Sequence, residues 1–124
     1  MSLSPIIGKI LWQDLTVADA TVLRDFYAAV VGWQYSPQSM GNYDDYNMNL
    51  PESGETVAGI CHAQGANAEL PPQWLLYIGV ADLDHSIAQC QALGGKIIVA
   101  ARPMGDQRFC VVQDPAGAVV ALIG

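Results

Sequence analysis

The sequence predicts an α+β domain built from two tandem βαβββ modules. Three observations lead there: the chain repeats itself at an offset of 63 residues, each repeat opens with a strand-like run and a helix-length segment, and three further strand-like stretches follow each helix. The repeat is visible in Val17-Ala18-Asp19 against Val80-Ala81-Asp82, Ala29 against Ala92, and Gly32 against Gly95.

Taken in order, the first strand runs from Ile10 to Val17. Asp19 then stands where an N-cap belongs, and Leu23, Phe26, Tyr27 and Val30 recur at helical spacing up to Gly32, which suits the left-handed residue that stops a helix. Strand-like stretches follow at Gly32 to Ser36, Tyr43 to Leu50 and Thr56 to His62. The second module repeats the scheme: a strand from Trp74 to Val80, a cap at Asp82, and a helix with Ile87, Cys90 and Leu93 at helical spacing up to Gly94-Gly95. Strands then run over Lys96 to Ala101, Gln107 to Gln113 and Ala118 to Ile123. Pro51 to Glu55 and Asp114-Pro115-Ala116-Gly117 are turn chemistry that joins antiparallel strands. One domain over 1–124 is expected, with modules at about 7–62 and 74–123 and the Gly- and Pro-containing segment 63–73 as the link between them.

Composition narrows the function. The 124 residues are 52% hydrophobic and 14% charged, ample for a packed core. The net charge of −7 repels phosphate backbones and anionic headgroups, so neither nucleic acid nor a membrane surface is an expected partner. No apolar run reaches the roughly 18 residues of a membrane span, and Met1-Ser2-Leu3-Ser4-Pro5 lacks a basic region ahead of a long apolar stretch. The expected compartment is the cytoplasm. Cys61, Cys90 and Cys110 are odd in number and form no CxxC pair, which argues for reduced thiols. No nucleotide or phosphate motif is present, and no cofactor is expected.

With this pattern the sequence resembles the vicinal oxygen chelate superfamily, which includes glyoxalase I, extradiol dioxygenases and bleomycin-resistance proteins. The resemblance covers about Ile7 to Ile123. It rests on Trp12-Gln13-Asp14-Leu15-Thr16-Val17-Ala18-Asp19, Phe26-Tyr27 with Val31-Gly32-Trp33, Pro71-Pro72-Gln73-Trp74 with Tyr77, Leu93-Gly94-Gly95 and Asp114-Pro115-Ala116-Gly117. It implies sheets that curl into half-barrels around a central cavity, a small organic ligand, and a homodimer. Family enzymes place four metal ligands in the cavity, and those positions carry over onto Trp12, Gly59, Leu75 and Ala121. None of these side chains can donate to a metal. The resemblance therefore implies a binding protein without the usual metal; the alternative is a lyase or dioxygenase with displaced ligands drawn from Gln13, Asp14, Asn47, Cys61 and His62.

Strand alternation selects the cavity-facing side chains. Trp12, Asp14 and Thr16 share one face with Gly59 and Cys61, and Leu75 shares one with Tyr77 and Gly79. On the central strands, Asp45, Asn47 and Asn49 align with Arg108, Cys110 and Val112, leaving Phe109 and Val111 to cover the helix. The candidate ligand-binding set is Trp12, Asp14, Asn47, Cys61, Leu75, Tyr77, Arg108, Cys110 and Ala121; no catalytic residue is assigned. Several members have two readings at this stage. Trp12 is either a stacking wall or core filling, Asp14 and Arg108 either bind a ligand or pair with each other, and Cys61 and Cys110 are either a reactive pair or inert buried thiols. His62 sits at a strand end on the opposite face, and His85 reads as a solvated helix residue.

Overall fold

The computed structural model describes residues 7–124; the start, Met1 to Pro5, lies outside the described residues. Eight strands and two helices follow in the order β1 (Ile10–Val17), α1 (Ala20–Val31), β2 (Gln34–Ser39), β3 (Asp44–Asn49), β4 (Thr56–His62), β5 (Trp74–Gly79), α2 (Leu83–Ala92), β6 (Lys96–Met104), β7 (Gln107–Gln113) and β8 (Val119–Ile123). Both βαβββ modules are present. A single 3-10 turn, Gly65–Asn67, interrupts the link between them. The residues gather into two compact units, one formed by Gln13–Trp74 and the other by residues 7–12 with Leu75–Gly124.

In the first of these, strands run in the order β2-β3-β4-β1, with β1 parallel to β4 and the other pairs antiparallel. Alternation puts Leu15, Tyr46, Met48, Ala58 and Ile60 on the face covered by α1, where they form the core with Ala20, against which Leu23, Tyr27, Trp33 and Trp74 pack. Asp19 begins the helix by accepting hydrogen bonds from the Thr21 and Val22 amides at 3.1 and 3.4 Å, which satisfies donors without an intrahelical partner. Gly32 ends it at φ +90°, a conformation that L side chains avoid. Only part of the expected helix face is buried. Leu23 and Tyr27 pack inward, while Phe26 and Val30 are exposed at 52% and 65%.

The other unit repeats the scheme as β5-β8-β7-β6, with β5 parallel to β8. Asp82 caps α2 through the His85 amide at 3.1 Å. Its core is Leu83, Cys110 and Val112, with Val80, Ile87, Cys90, Ile97, Val120 and Leu122 packed around them. Gly95 is glycine because of close approach: a Cβ there would stand 2.4 Å from the Cys90 sulfur and 3.0 Å from two backbone oxygens. Leu93, expected on the buried helix face, is the C-cap and is 72% exposed.

One alignment is overturned. Arg108, Cys110 and Val112 do not share the face of Tyr77; they lie on the α2 side, and Phe109 and Val111 take the face opposite. Cys110 and Val112 are core beneath α2, and the Arg108 guanidinium lies 3.0 Å from Asp84 of that helix. Pairing explains it. Asn47 and Asp14 both lie opposite Gly59, whereas Val111 and Tyr77 both lie opposite Ala121. The true counterpart of Asn47 is thus Val111, one residue past the position the 63-residue offset selects. β6 is longer than β2 and shifts register twice against β7, and the β3–β4 pair holds a bulge at Met48/Asn49. A net odd insertion inverts every side chain beyond it.

Two substitutions test this packing. Met48→Ala, at a fully buried site, is expected to cost about 2 to 5 kcal/mol in urea unfolding. Gly95→Ala is also expected to destabilise, whereas Gly95→Ala combined with Cys90→Ala recovers part of the loss because the sulfur no longer occupies the added methyl's space.

Candidate functional site

The face of the Gln13–Trp74 sheet away from α1 carries polar side chains in two rows set by register. One row is Asp14, Gly59, Asn47 and Ser36; the next is Thr16 and Cys61, with Asp45 beside Cys61 across the β3–β4 pair. Gly59, opposite both Asp14 and Asn47, contributes no side chain to that row. Three of the predicted residues, Asp14, Asn47 and Cys61, therefore share this face. Asp45, read as inward but outside the candidate set, is its most buried charge at 5% exposure. Its carboxylate accepts the His62 backbone amide at 2.8 Å, a charge-assisted bond that anchors it. Asn47's neighbour in the next row outward, Asn49, is turned away from ligand duty by bonds to Ser36 and Thr56 at 3.2 and 2.7 Å.

The electrostatics of this face act on Cys61. Burial pushes its thiol well above the ordinary range, and the negative charges of Asp14 and Asp45, with a hydrogen bond to Asp45, push the same way. It is a neutral thiol at physiological pH. A protonated thiol is a poor nucleophile, because the thiolate is the reactive form.

On the other unit, Leu75, Tyr77 and Ala121 share a face with Phe109 and Val111, and all five are buried. Tyr77 and Phe109 meet at 6.0 Å between ring centres. This face is apolar. Its cation is Arg102, which lies opposite Phe109 in the β6–β7 pair with its guanidinium 5.9 Å from that ring. Sequence reasoning chose Arg108 and missed Arg102, because the bulges in β6 leave no periodic signal to place it. Arg108 and Cys110 lie on the α2 side, and burial pushes the Cys110 thiol up to about 11. Trp12 is half-buried on the side of β1 that carries Asp14.

The displaced-ligand set does not converge. The Gln13 amide nitrogen donates to the Val57 carbonyl, and His62 Nδ1 accepts the Ala20 amide at the start of α1 at 3.2 Å, with its ring against Tyr43 and Tyr46. His62 is thus a second cap for α1 on the side away from Asp14, Asn47 and Cys61. Among the described residues no three His, Cys, Asp or Glu side chains group as a metal site. At the four positions where family enzymes hold metal, this chain offers an indole, a hydrogen atom, an isobutyl and a methyl group, and Leu75 and Ala121 are closed in hydrocarbon. These residues do not fit a metal.

Comparison with known proteins places this geometry. The model of the Glyoxalase/Bleomycin resistance protein/Dioxygenase superfamily matches residues 7–122. A curated relative, "Putative glyoxylase CFP32" of Mycobacterium tuberculosis (strain CDC 1551 / Oshkosh), is 34% identical over 117 residues, which are 90% of this chain and 43% of the relative. The chain thus spans less than half the length of the curated relatives it matches. Among solved structures, methylmalonyl-CoA epimerase from Mycobacterium tuberculosis superposes with a TM-score of 0.55 at 17% identity, covering 99% of this chain and 91% of its own. A glyoxalase/bleomycin resistance protein/dioxygenase superfamily member from Vibrio splendidus 12B01 superposes with a TM-score of 0.58 at 15% identity, covering 90% and 95%. At these identities the likeness is one of fold.

The raised thiols give a pH dependence of fixed sign. The unfolded chain releases a thiol proton near pH 8.5 while folded Cys61 and Cys110 keep theirs. Stability is therefore intact below that pH and falls as pH rises, by at most about 1.4 kcal/mol per pH unit for each thiol. Urea unfolding at pH 7.5 and 10 should show a smaller loss in Cys61→Ala than in the unsubstituted protein. In the same protein, Cys61 should react with iodoacetamide at pH 8 much more slowly than an unfolded control.

Proposed function

The chain belongs to the Glyoxalase/Bleomycin resistance protein/Dioxygenase superfamily, and we propose that it serves as a metal-independent binding module for a small organic molecule. The supporting observation is the exchange of chemistry at its sites. The four metal-holding positions carry no donor, while Asp14, Asp45, Asn47 and Cys61 form a separate polar row system on one sheet face.

That face sorts ligands by hydrogen bonding. Asp14 and Asp45 accept from N–H or O–H groups and Asn47 both donates and accepts, while the neutral Cys61 thiol is engaged with Asp45. The ligand is a small molecule with hydrogen-bond donors spaced to meet two carboxylates, and the acidic charge of the chain favours a neutral or cationic one. The working form is a cytoplasmic homodimer. Catalysis by the lyase or dioxygenase route would need metal donors, and His62 Nδ1 is already engaged with the Ala20 amide while Gln13 is held on the α1 side of β1 by its bond to the Val57 carbonyl.

Elemental analysis of protein purified without chelator is expected to show no stoichiometric zinc, nickel, iron or manganese. A thermal-shift screen of small amines, polyols and amides should yield binders whose effect is unchanged by EDTA. Asp45→Asn or Asp14→Asn should weaken them about 10- to 100-fold. One equivalent of metal, with binding or turnover abolished by EDTA, would overturn the proposal in favour of the displaced-ligand enzyme.

A further inference from the structure

The end of β4 joins the start of α1 to the candidate face. Its last residue, His62, pairs with Val17 of β1, and the next amide, Ala63, donates to the Val17 carbonyl at 2.8 Å. From there the His62 backbone amide reaches the Asp45 carboxylate at 2.8 Å, while Nδ1 of the same residue accepts the Ala20 amide at 3.2 Å. Ala20 opens α1 and is fully buried, so its amide has no water to turn to and depends on that nitrogen. Asp19 serves the next two amides, those of Thr21 and Val22. The buried Asp45 carboxylate likewise depends on donors that stay in place, the His62 amide and the Cys61 thiol. Nδ1 can accept only from a neutral ring whose proton is on Nε2. A second proton makes both nitrogens donors, and turning the ring over brings no acceptor back to Ala20. It also sets a positive charge against the positive end of the helix.

We propose that His62 is the positioning residue of the Asp14–Asp45 face: its neutral imidazole keeps Asp45 anchored for a ligand, and proton uptake by the ring releases both the α1 cap and that anchor. The proposal rests on the ligand-binding reading above and adds a residue that acts from outside the face. One proton passes from solvent to Nδ1, and the bond from the Ala20 amide is the one that breaks. Because ring and amide belong to one residue at the end of the β1–β4 ladder, a ring driven off Ala20 turns the amide that holds Asp45. The charged and titratable groups around the ring are Asp19 ahead of α1, Asp44 and Tyr46 on one side of β3, Asp45 at the backbone amide, and Tyr43. Arg24 lies beyond them, its guanidinium 4.7 Å from the centre of the Tyr46 ring. The three carboxylates attract an imidazolium, yet none of that attraction gives Nδ1 back the lone pair that Ala20 needs. Ligand affinity therefore falls when the ring is protonated.

Amide hydrogen exchange of the full chain, followed by NMR between pH 8 and pH 5.5, where imidazoles change charge, tests this without a ligand. His62→Asn is the conservative variant, since its side-chain oxygen stands where Nδ1 stands and does not titrate. In the unsubstituted chain the protection factors of the Ala20 and His62 amides are expected to fall together by about tenfold on acidification. In His62→Asn both should stay level. Benzamidine, a cation whose charge is fixed over this range, is expected to bind the unsubstituted chain about tenfold more weakly at the acid end, and to bind His62→Asn with an affinity independent of pH. If the Ala20 amide loses protection while the His62 amide keeps it, His62 is a helix cap alone and the proposal is overturned. It is overturned equally if neither amide responds, or if both respond while benzamidine binds with one affinity throughout. If both amides respond together and benzamidine binds at no pH, the hold of His62 on Asp45 stands, and it is the ligand-binding reading that fails for this cation.

Discussion

Alternation along paired strands is the constraint on which the rest depends. Once β1 and β3 are both set against β4, each side chain has one of two faces. Met48, Ile60 and Leu15 go beneath α1, and Asp14, Asn47 and Cys61 go to the other side. The same pairing that builds the core therefore builds the polar face. Neither can change by one residue without exchanging hydrocarbon for carboxylate, a cost that several buried side chains would share.

The two modules share a plan and have taken opposite chemistry. In one, the face away from the helix is a row of small polar groups, and a backbone amide holds the buried Asp45 carboxylate in place. In the other, the same face is Leu75, Tyr77, Phe109, Val111 and Ala121, closed to water. At the positions that the family resemblance selects, Trp12, Gly59, Leu75 and Ala121, no side chain is a metal donor.

Polar groups at the seams are used structurally. His62 shows this: its ring nitrogen caps α1 while its backbone amide fixes Asp45. The helix start and the candidate face are thus tied through one residue, and the imidazole that a sequence scan would offer to a metal is engaged in holding backbone. Cys61 is a parallel case, since burial, reinforced by its carboxylate neighbours, keeps the thiol protonated and makes it a packing and hydrogen-bonding group.

The α+β class, the two βαβββ modules, both aspartate caps and the strands β1, β4 and β7 were legible in the sequence, because each depends on local chemistry: alternation, helical spacing, and residues that cap or turn. The first module's face was legible too, since Asp14, Asn47 and Cys61 follow from parity within β1, β3 and β4. The second module's central strand was not. Its parity depends on bulges in β6 and on the register of β7 against β8, which arise from pairing between strands distant in sequence and leave no trace in the 63-residue repeat. That is why Arg108 and Cys110 belong to the α2 side and Arg102 takes the face opposite. Tertiary structure also decided that Phe26 and Val30 stay exposed on α1 and that Leu93 falls beyond the end of α2 as its C-cap, because helical spacing marks an apolar stripe but not how much of it another element covers.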